Sequence, residues 1–282
     1  MTLIRTTLPL PRLAVAISGG VDSAVAAALL KHNRVEGIDS SAYDLVGVFM
    51  RNWDGGEEGA QGWREGVESS ASSSSSSRSP ACRIEADFRD AERVCKQLSI
   101  PLFQLDFVST YYTDVFEPFL EGLRRGGTPN PDVVCNRVVK FDQMLEACVE
   151  GLGAGVVATG HYARVEGGKL LRGVDAGYDQ TYFLAGIERE VLGDMAQPRV
   201  VFPVGGLTKE TVRWLAGEFG LARVEGKKSS TGICFIGKRR FGDFVEEYGI
   251  SSVGGFAYSH SWVLLQVFGA ASWGIRGCGY ET

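Results

Sequence analysis

The stretch from Leu13 to Leu30 constrains this chain more than any other. An apolar run, Leu13-Ala-Val-Ala-Ile17, leads into Ser18-Gly-Gly-Val-Asp-Ser23 and then into Ala24-Val-Ala-Ala-Ala-Leu-Leu30. An apolar run with β-branched members, two glycines and an alanine-rich run predict strand, tight turn and helix in that order. Two explanations fit the corner itself. In an ordinary strand-to-helix turn, glycine supplies positive φ and Ser or Asp caps the helix. The same residues also make an anion cradle, in which backbone N–H groups and the helix N-terminus hold a phosphate.

Convergence with the rest of the chain separates the two. Further strands are predicted at 44–50, 101–107 and 155–160. Helices are predicted at 85–99, where Ala86, Ala91, Val94, Cys95 and Leu98 recur at near-helical spacing, and at 113–125, 138–151 and 209–219. Strands alternating with helices imply an α/β fold with a doubly wound parallel sheet, helices covering both faces. Ligands bind such sheets at the carboxyl ends of the strands. The Ser18–Ser23 corner, Met50-Arg-Asn-Trp53 and Thr159-Gly-His161 all follow strands, so three candidate segments meet on one edge. That convergence favours the phosphate reading.

Bulk properties exclude several classes. No window approaches 18 uncharged apolar residues, so a membrane span is not expected. The net charge of −5 argues against a generic nucleic-acid binder. The charge is uneven, however: residues 209–240 carry eight Lys or Arg against Glu210, Glu218 and Glu225, a local +5. A solvated helix face is the ordinary explanation for such a cluster. Six cysteines (82, 95, 135, 148, 234 and 278) with no CxxC pair match neither a secreted disulfide framework nor a zinc site, and no metal-ligating residues are predicted. The first twelve residues hold two Arg, three Thr and no acid, which fits a very short mitochondrial presequence as well as a plain N-terminal extension. Nine of the eleven residues from 69 to 79 are serine, which buries no apolar area, so 55–80 is expected to be a disordered insertion. Residues 249–282 differ again, with seven glycines, one Arg, one Glu and no helical repeat.

The corner is neither a Walker loop, since no Gly-Lys-Ser/Thr follows, nor GxGxxG. Ser-Gly-Gly-x-Asp-Ser resembles the pyrophosphate loop (PP-loop) of the ATP pyrophosphatases, a group of the adenine nucleotide alpha hydrolase type. Five more segments stand in order: Phe49-Met-Arg-Asn-Trp53, Thr128-Pro-Asn-Pro-Asp-Val-Val-Cys-Asn136, Ala158-Thr-Gly-His-Tyr162, Asp179-Gln-Thr-Tyr-Phe-Leu184 and Ser230-Thr-Gly-Ile-Cys-Phe-Ile-Gly237. Together they are similar to the tRNA-specific 2-thiouridylase family, whose eukaryotic members are mitochondrial, over residues 13–248.

The two cysteine segments carry a chemical reading of their own. Cys135 follows a Pro-Asn-Pro-Asp turn that sets Asp132 one short loop away. Cys234 comes soon after Lys227 and Lys228, and thiolates form more readily near cations. The alternative, that both are small buried hydrophobes, is the common fate of free cysteine. It is the reading kept for Cys82, Cys95, Cys148 and Cys278.

The resemblance implies more. Cys234 matches the cysteine that carries the persulfide sulfur, Cys135 its disulfide-forming partner, and Asp132 an acid beside the target base. Ala16, Ile17, Ser18, Gly19, Gly20, Val21, Asp22, Ser23, Met50 and Gly160 match ATP-contacting positions, with Asp22 able to orient Mg²⁺. Asn130, Pro131 and Asp132 match tRNA-binding positions, and Tyr178, Asp179 and Gln180 match a tRNA-contacting segment. The implied reaction is ATP-dependent 2-thiolation of the wobble uridine, with ATP and Mg²⁺ as cofactors and with tRNA and a persulfide donor fed by a cysteine desulfurase as partners. The implied organisation is an ATP-pyrophosphatase domain at 1–205, a partial linker region bearing Cys234 at 206–248, and an atypical tail at 249–282 where the family continues into β domains that hold tRNA. Weak tRNA binding by the chain as written is the corresponding expectation. Two rivals remain: another tRNA thiolase of the same group, and a truncated product that binds nucleotide without catalysis. The missing CxxC pair argues against the iron–sulfur cytidine enzymes.

Overall fold

A computed structural model of the chain describes residues 10–53, 80–193, 198–227 and 241–250, with side chains at 80–83, 222 and 243 left aside. Its centre is a five-stranded sheet built from β1 (Arg12–Ala16), β2 (Asp44–Arg51), β3 (Leu102–Asp106), β4 (Ala154–Ala158) and β7 (Val200–Val201), in the order β3-β2-β1-β4-β7. Every neighbouring pair is parallel. The order reverses between β1 and β4, which places the topological switch point at the end of β1. An antiparallel hairpin of β5 (Ala163–Glu166) and β6 (Lys169–Arg172) stands apart from the sheet.

Alternation along β1 sorts its side chains between two cores. Leu13, Val15 and Ile17 face one side and pack with α1 (Val21–Lys31), α2 (Pro80–Leu98), α6 (Lys209–Glu218) and α7 (Ala222–Glu225). Ala14 and Ala16 face the other, with a helix over 108–124 (α3), a helix over 131–151 (α4) and Phe244 of a short helix, α8 (Phe241–Glu247). A short helix, α5 (Arg189–Leu192), closes a small third cluster around Phe141, Leu184 and Phe202. The alanines of α1 explain its position: Ala24, Ala26, Ala27 and Ala28 are wholly buried, and their small side chains let the sheet and flanking helices approach closely.

The doubly wound α/β expectation is met, with three local differences. First, Asp132 and Cys135 sit in a helix rather than after a turn. Asn130 Oδ1 accepts from the N–H groups of Asp132 (3.0 Å) and Val133 (3.4 Å), and Pro131 takes the first helical position, where its missing N–H costs nothing. That helix runs on through a π-helical stretch, Cys135–Gln143, into the predicted 138–151 segment. Second, the β5–β6 hairpin was not predicted, because four-residue strands around Gly167-Gly168 give too short a repeat. Third, Val212, Leu215, Ala216, Leu221 and Val224 belong to the same core as β1 and α1, so packing continues across the division expected at 205. The serine-rich segment (all but Pro80), Cys234, the tail beyond 250 and the presequence-like residues 1–9 lie outside the described residues.

Candidate functional site

The loop between β1 and α1 is held open by glycine and tied by serine. Gly19 has φ +75°, and a Cβ there would come 2.3 Å from the carbonyl oxygen of Asp87, so α2 abuts the loop too closely for any other residue. Gly20 caps α1 with extended backbone and no side chain over the first turn. The Ser23 hydroxyl donates to Gly20 O (3.1 Å) and accepts from Ser18 N–H (3.1 Å), with Ser18 Oγ 3.2 Å away. The side chains of Ala16, Ile17 and Val21 are buried in the two cores, so only their backbone can face a ligand. Backbone amides at the amino end of an eleven-residue helix suit an anion.

The four residues after β4 touch this loop on one side and α4 on the other. Gly160 lies against the first turn of α1: a Cβ there would be 2.7 Å from Ser23 N and 2.9 Å from the Asp22 carbonyl carbon. The Tyr162 hydroxyl donates to Asp22 Oδ1 at 2.7 Å. Burial first, and then the Asp22 carboxylate, raise the Tyr162 phenol far above its usual range, so it remains a donor. His161 turns the other way, toward α4. Its Nε2 is 3.3 Å from Lys140 Nζ and its Nδ1 is 2.7 Å from Thr159 Oγ1. Burial and then the Lys140 charge push its pKa well below the ordinary value, so the ring is neutral. An ammonium only donates, so Nε2 accepts and the ring proton sits on Nδ1, directed at Thr159.

On α4, Cys135 is 5% exposed, and the carboxyl of Asp132 is half-buried. Burial raises the Asp132 pKa, with Lys140 opposing. Asn136, one turn further, donates to Phe183 O (2.9 Å), while its Oδ1 is buried without a partner among the described residues. Cys95 and Cys148 keep the bland reading: both are buried, and burial pushes their thiols to about 12 and about 11. Met50 lies two residues past the point where β2 pairs with the end of β1, at the same edge.

The three residues 178–180 divide. Asp179 is a loop organiser: its side chain, 5% exposed, accepts from Gly173 N–H, Thr181 N–H and Oγ1, and Arg172 Nε. Burial raises its pKa and those donors outweigh it, leaving it lowered. Gln180 Oε1 accepts from Tyr162 N–H (3.0 Å). Tyr178, 43% exposed, presents its ring outward, 5.8 Å from that of Tyr162.

Among the described residues, the four cations of 209–227 each bond a group of the fold, although the Arg223 side chain stays 68% exposed. Lys209 is 5% exposed, and its Nζ lies 2.6 and 2.7 Å from the two Asp22 oxygens. Lys227 Nζ donates to Gly19 O (2.9 Å), Asp87 Oδ1 (2.8 Å) and Asp90 Oδ2 (2.7 Å), using all three hydrogens. Arg223 pairs with Asp90 (3.0 Å), and Arg213 donates to Glu225 O (2.9 Å). Asp22 therefore fits poorly as a Mg²⁺ ligand, since an ammonium already bridges both of its oxygens. Among the described residues no group of three or more His, Cys, Asp or Glu is placed to hold a metal. The sequence assigns no role to Lys209, Tyr162 or Lys140, names His161 only within a candidate segment, and reads Lys227 as a cation near Cys234, whereas its hydrogens go to Gly19, Asp87 and Asp90. Their signal was there in part, as a charge cluster and as the Ala158–Tyr162 segment after a strand.

A sequence model of the tRNA methyl transferase HUP domain matches residues 11–238. The tRNA-specific 2-thiouridylase MnmA of Mycoplasmopsis pulmonis (strain UAB CTIP) is 42% identical over 237 residues, 84% of this chain and 57% of that protein. The mitochondrial tRNA-specific 2-thiouridylase 1 of Drosophila melanogaster is 42% identical over 254 residues, 86% of this chain and 57% of its own length. The chain thus spans little more than half the length of the curated relatives it matches. Among solved structures, the U34-tRNA thiolase NcsA from Methanococcus maripaludis aligns at 15% identity with a TM-score of 0.44, covering 93% of this chain and 72% of that one. Matched over most of its length, and similar to relatives named tRNA-specific 2-thiouridylases, the chain belongs to the tRNA methyl transferase HUP domain family.

Proposed function

We propose that this chain is the nucleotide-using part of an enzyme that replaces the C2 oxygen of a tRNA uridine, the wobble uridine, with sulfur. One observation carries the reading: the four residues Thr159–Tyr162 join the phosphate-type loop, through Gly160 and Tyr162, to the helix bearing Asp132 and Cys135, through His161 and Lys140. A loop that holds a leaving pyrophosphate and a helix that offers a carboxyl and a thiol are the two halves such a reaction needs.

In the proposed sequence the uridine O2 attacks the α-phosphorus of ATP and pyrophosphate leaves into the Ser18–Ser23 loop. The terminal sulfur of a persulfide on Cys234 attacks C2, and AMP departs with the original oxygen. The Cys135 thiol then attacks the inner sulfur, which frees the thiolated base and leaves a Cys135–Cys234 disulfide for an external thiol to reduce. Asp132, its pKa raised by burial, exchanges the proton at the base. The segment between α7 and α8 brings Cys234 to Cys135. Tyr178 supplies an exposed ring for stacking on RNA, Asn130 and Pro131 line the approach to the base, and Asp179 and Gln180 hold that loop in shape. ATP is taken with its own Mg²⁺, to which no step is assigned. The persulfide is delivered by a donor fed from a cysteine desulfurase, and the similarity to a mitochondrial relative supports a mitochondrial site of action.

The test is transfer of labelled sulfur to tRNA transcripts by the chain with ATP, Mg²⁺ and a persulfide donor, with AMP and pyrophosphate measured alongside. Sulfur at C2, with one AMP released per sulfur, is expected. Methyl transfer from a methyl donor in place of sulfur, or AMP release without any tRNA product, would overturn the proposal.

A further inference from the structure

Lysine at the first position of a helix opposes the helix dipole. Lys209 occupies that position in α6, behind Thr208 as cap, and it is almost fully buried there. Both of its ends are matched by carboxylates. Its backbone N–H donates to Asp175 Oδ2 at 2.8 Å, and its ammonium bridges the two oxygens of Asp22. Tyr162 and Tyr178 flank it, with ring centroids 5.5 and 5.3 Å from Nζ, within cation–π range. Asp22 has three of its acceptor sites filled, two by Lys209 and one by the Tyr162 hydroxyl. Among the described residues, the third N–H of Lys209 has no acceptor.

We propose that Lys209 is the resident cation of the phosphate loop. It takes the seat at Asp22 that a divalent ion would otherwise occupy, and it shares its remaining N–H with the phosphates of the bound nucleotide. Asp22 is then a positioning residue that aims Lys209, and the metal reaches the loop only on the nucleotide. The geometry argues for this over direct metal binding. An ammonium equidistant from both oxygens sits where a chelated ion would sit, and two cations cannot share that seat without strong repulsion. The phosphates bring the negative charge that lets Lys209 turn part of its bonding away from Asp22. Because Tyr178 packs on the same ammonium, the exposed ring proposed to meet RNA and the phosphate loop are linked through one side chain. The inference rests on the nucleotide reading of the loop.

The experiment titrates ATP into the full chain, once in EDTA and once in Mg²⁺, for wild type, Asp22→Asn, Lys209→Gln and Lys209→Arg. Lys209→Gln is expected to lower ATP affinity about tenfold to hundredfold in both buffers, the range for one charge-assisted hydrogen bond. Lys209→Arg should recover most of the loss, and Asp22→Asn should change affinity by the same factor with and without Mg²⁺. Mn²⁺ followed by electron paramagnetic resonance should show no tight binding to the nucleotide-free wild type. An Asp22→Asn effect confined to the Mg²⁺ buffer, tight Mn²⁺ binding without nucleotide, or unchanged affinity in Lys209→Gln would each overturn the inference. Melting curves identify a variant that fails to fold, in which case Lys209→Arg and Asp22→Asn carry the comparison. If the wild type binds no ATP in either buffer, the nucleotide reading falls and takes this inference with it. A Mg²⁺-only effect leaves that reading standing.

Discussion

Gly160→Ala isolates the contact between the end of β4 and the phosphate loop. The added Cβ would lie 2.7 Å from Ser23 N, 2.9 Å from the Asp22 carbonyl carbon and 3.0 Å from Ser23 Cα, all backbone atoms. Ordinary contact begins at 3.4 Å, so the first turn of α1 must retreat by 0.7 Å at the nearest atom (3.4 minus 2.7) and 0.4 Å at the farthest (3.4 minus 3.0). No flexible side chain can yield in its place. Overpacking of this kind costs about 1–3 kcal/mol, or roughly 2–8 °C in melting temperature for a chain of this size. The displaced atoms carry the amides proposed to meet phosphate, so affinity suffers with stability. Loss of one charge-assisted hydrogen bond lowers ATP affinity about tenfold to hundredfold. Gly155→Ala, within β4 itself, is the control, since nothing lies within 4 Å of its Cβ. It is expected to be neutral or stabilising by about 0.4–1 kcal/mol. Thermal melting and ATP titration on both variants make the measurement. If Gly160→Ala binds ATP as well as wild type and melts no lower than Gly155→Ala, the packing argument is wrong.

Two further outcomes follow from burial of titratable groups. Asp132 is raised by burial, so the folded state prefers the protonated carboxyl and ionisation costs stability as pH rises from the ordinary carboxylate value toward its folded value. Asp132→Asn should therefore melt higher than wild type at neutral pH, and equal to it below about pH 3 where both states are protonated, while sulfur incorporation drops by about 10²–10⁴ if the carboxyl moves the proton. A variant that melts lower at neutral pH would contradict the burial argument. Cys95 and Cys148, held at about 12 and about 11, should resist iodoacetamide at mildly alkaline pH in the native state and react about a hundredfold faster in urea. Rapid native alkylation, mapped by peptide mass, would show that either thiol is accessible.

Much of the architecture was legible because it depends on short-range pattern. The strand–glycine–helix corner, the alternation of strands and helices, and the gathering of candidate segments at the strand ends all follow from periodicity and turn chemistry in windows of a few residues. The start of α4 could have been read as well, since Asn130-Pro131 is a cap followed by the residue that best tolerates the first helical position. Two prolines within three residues more often break a helix than begin one, and by that pattern the segment reads as a turn.

Charge pairing was not legible. The sequence by itself determined that 209–240 is rich in Lys and Arg, and local pattern made a solvated face the ordinary reading. Only the tertiary structure decided that Lys209 meets Asp22, 187 residues away, and that Lys227 meets Gly19, 208 residues away. The same holds for His161, whose neutrality and proton position come from being packed between Lys140 and Thr159. A residue's hydropathy and spacing act through its neighbours in the chain, so sequence carries them. Its charge acts over several ångströms in space and is strengthened by exclusion of water, so its partner is set by which distant segments the fold brings together.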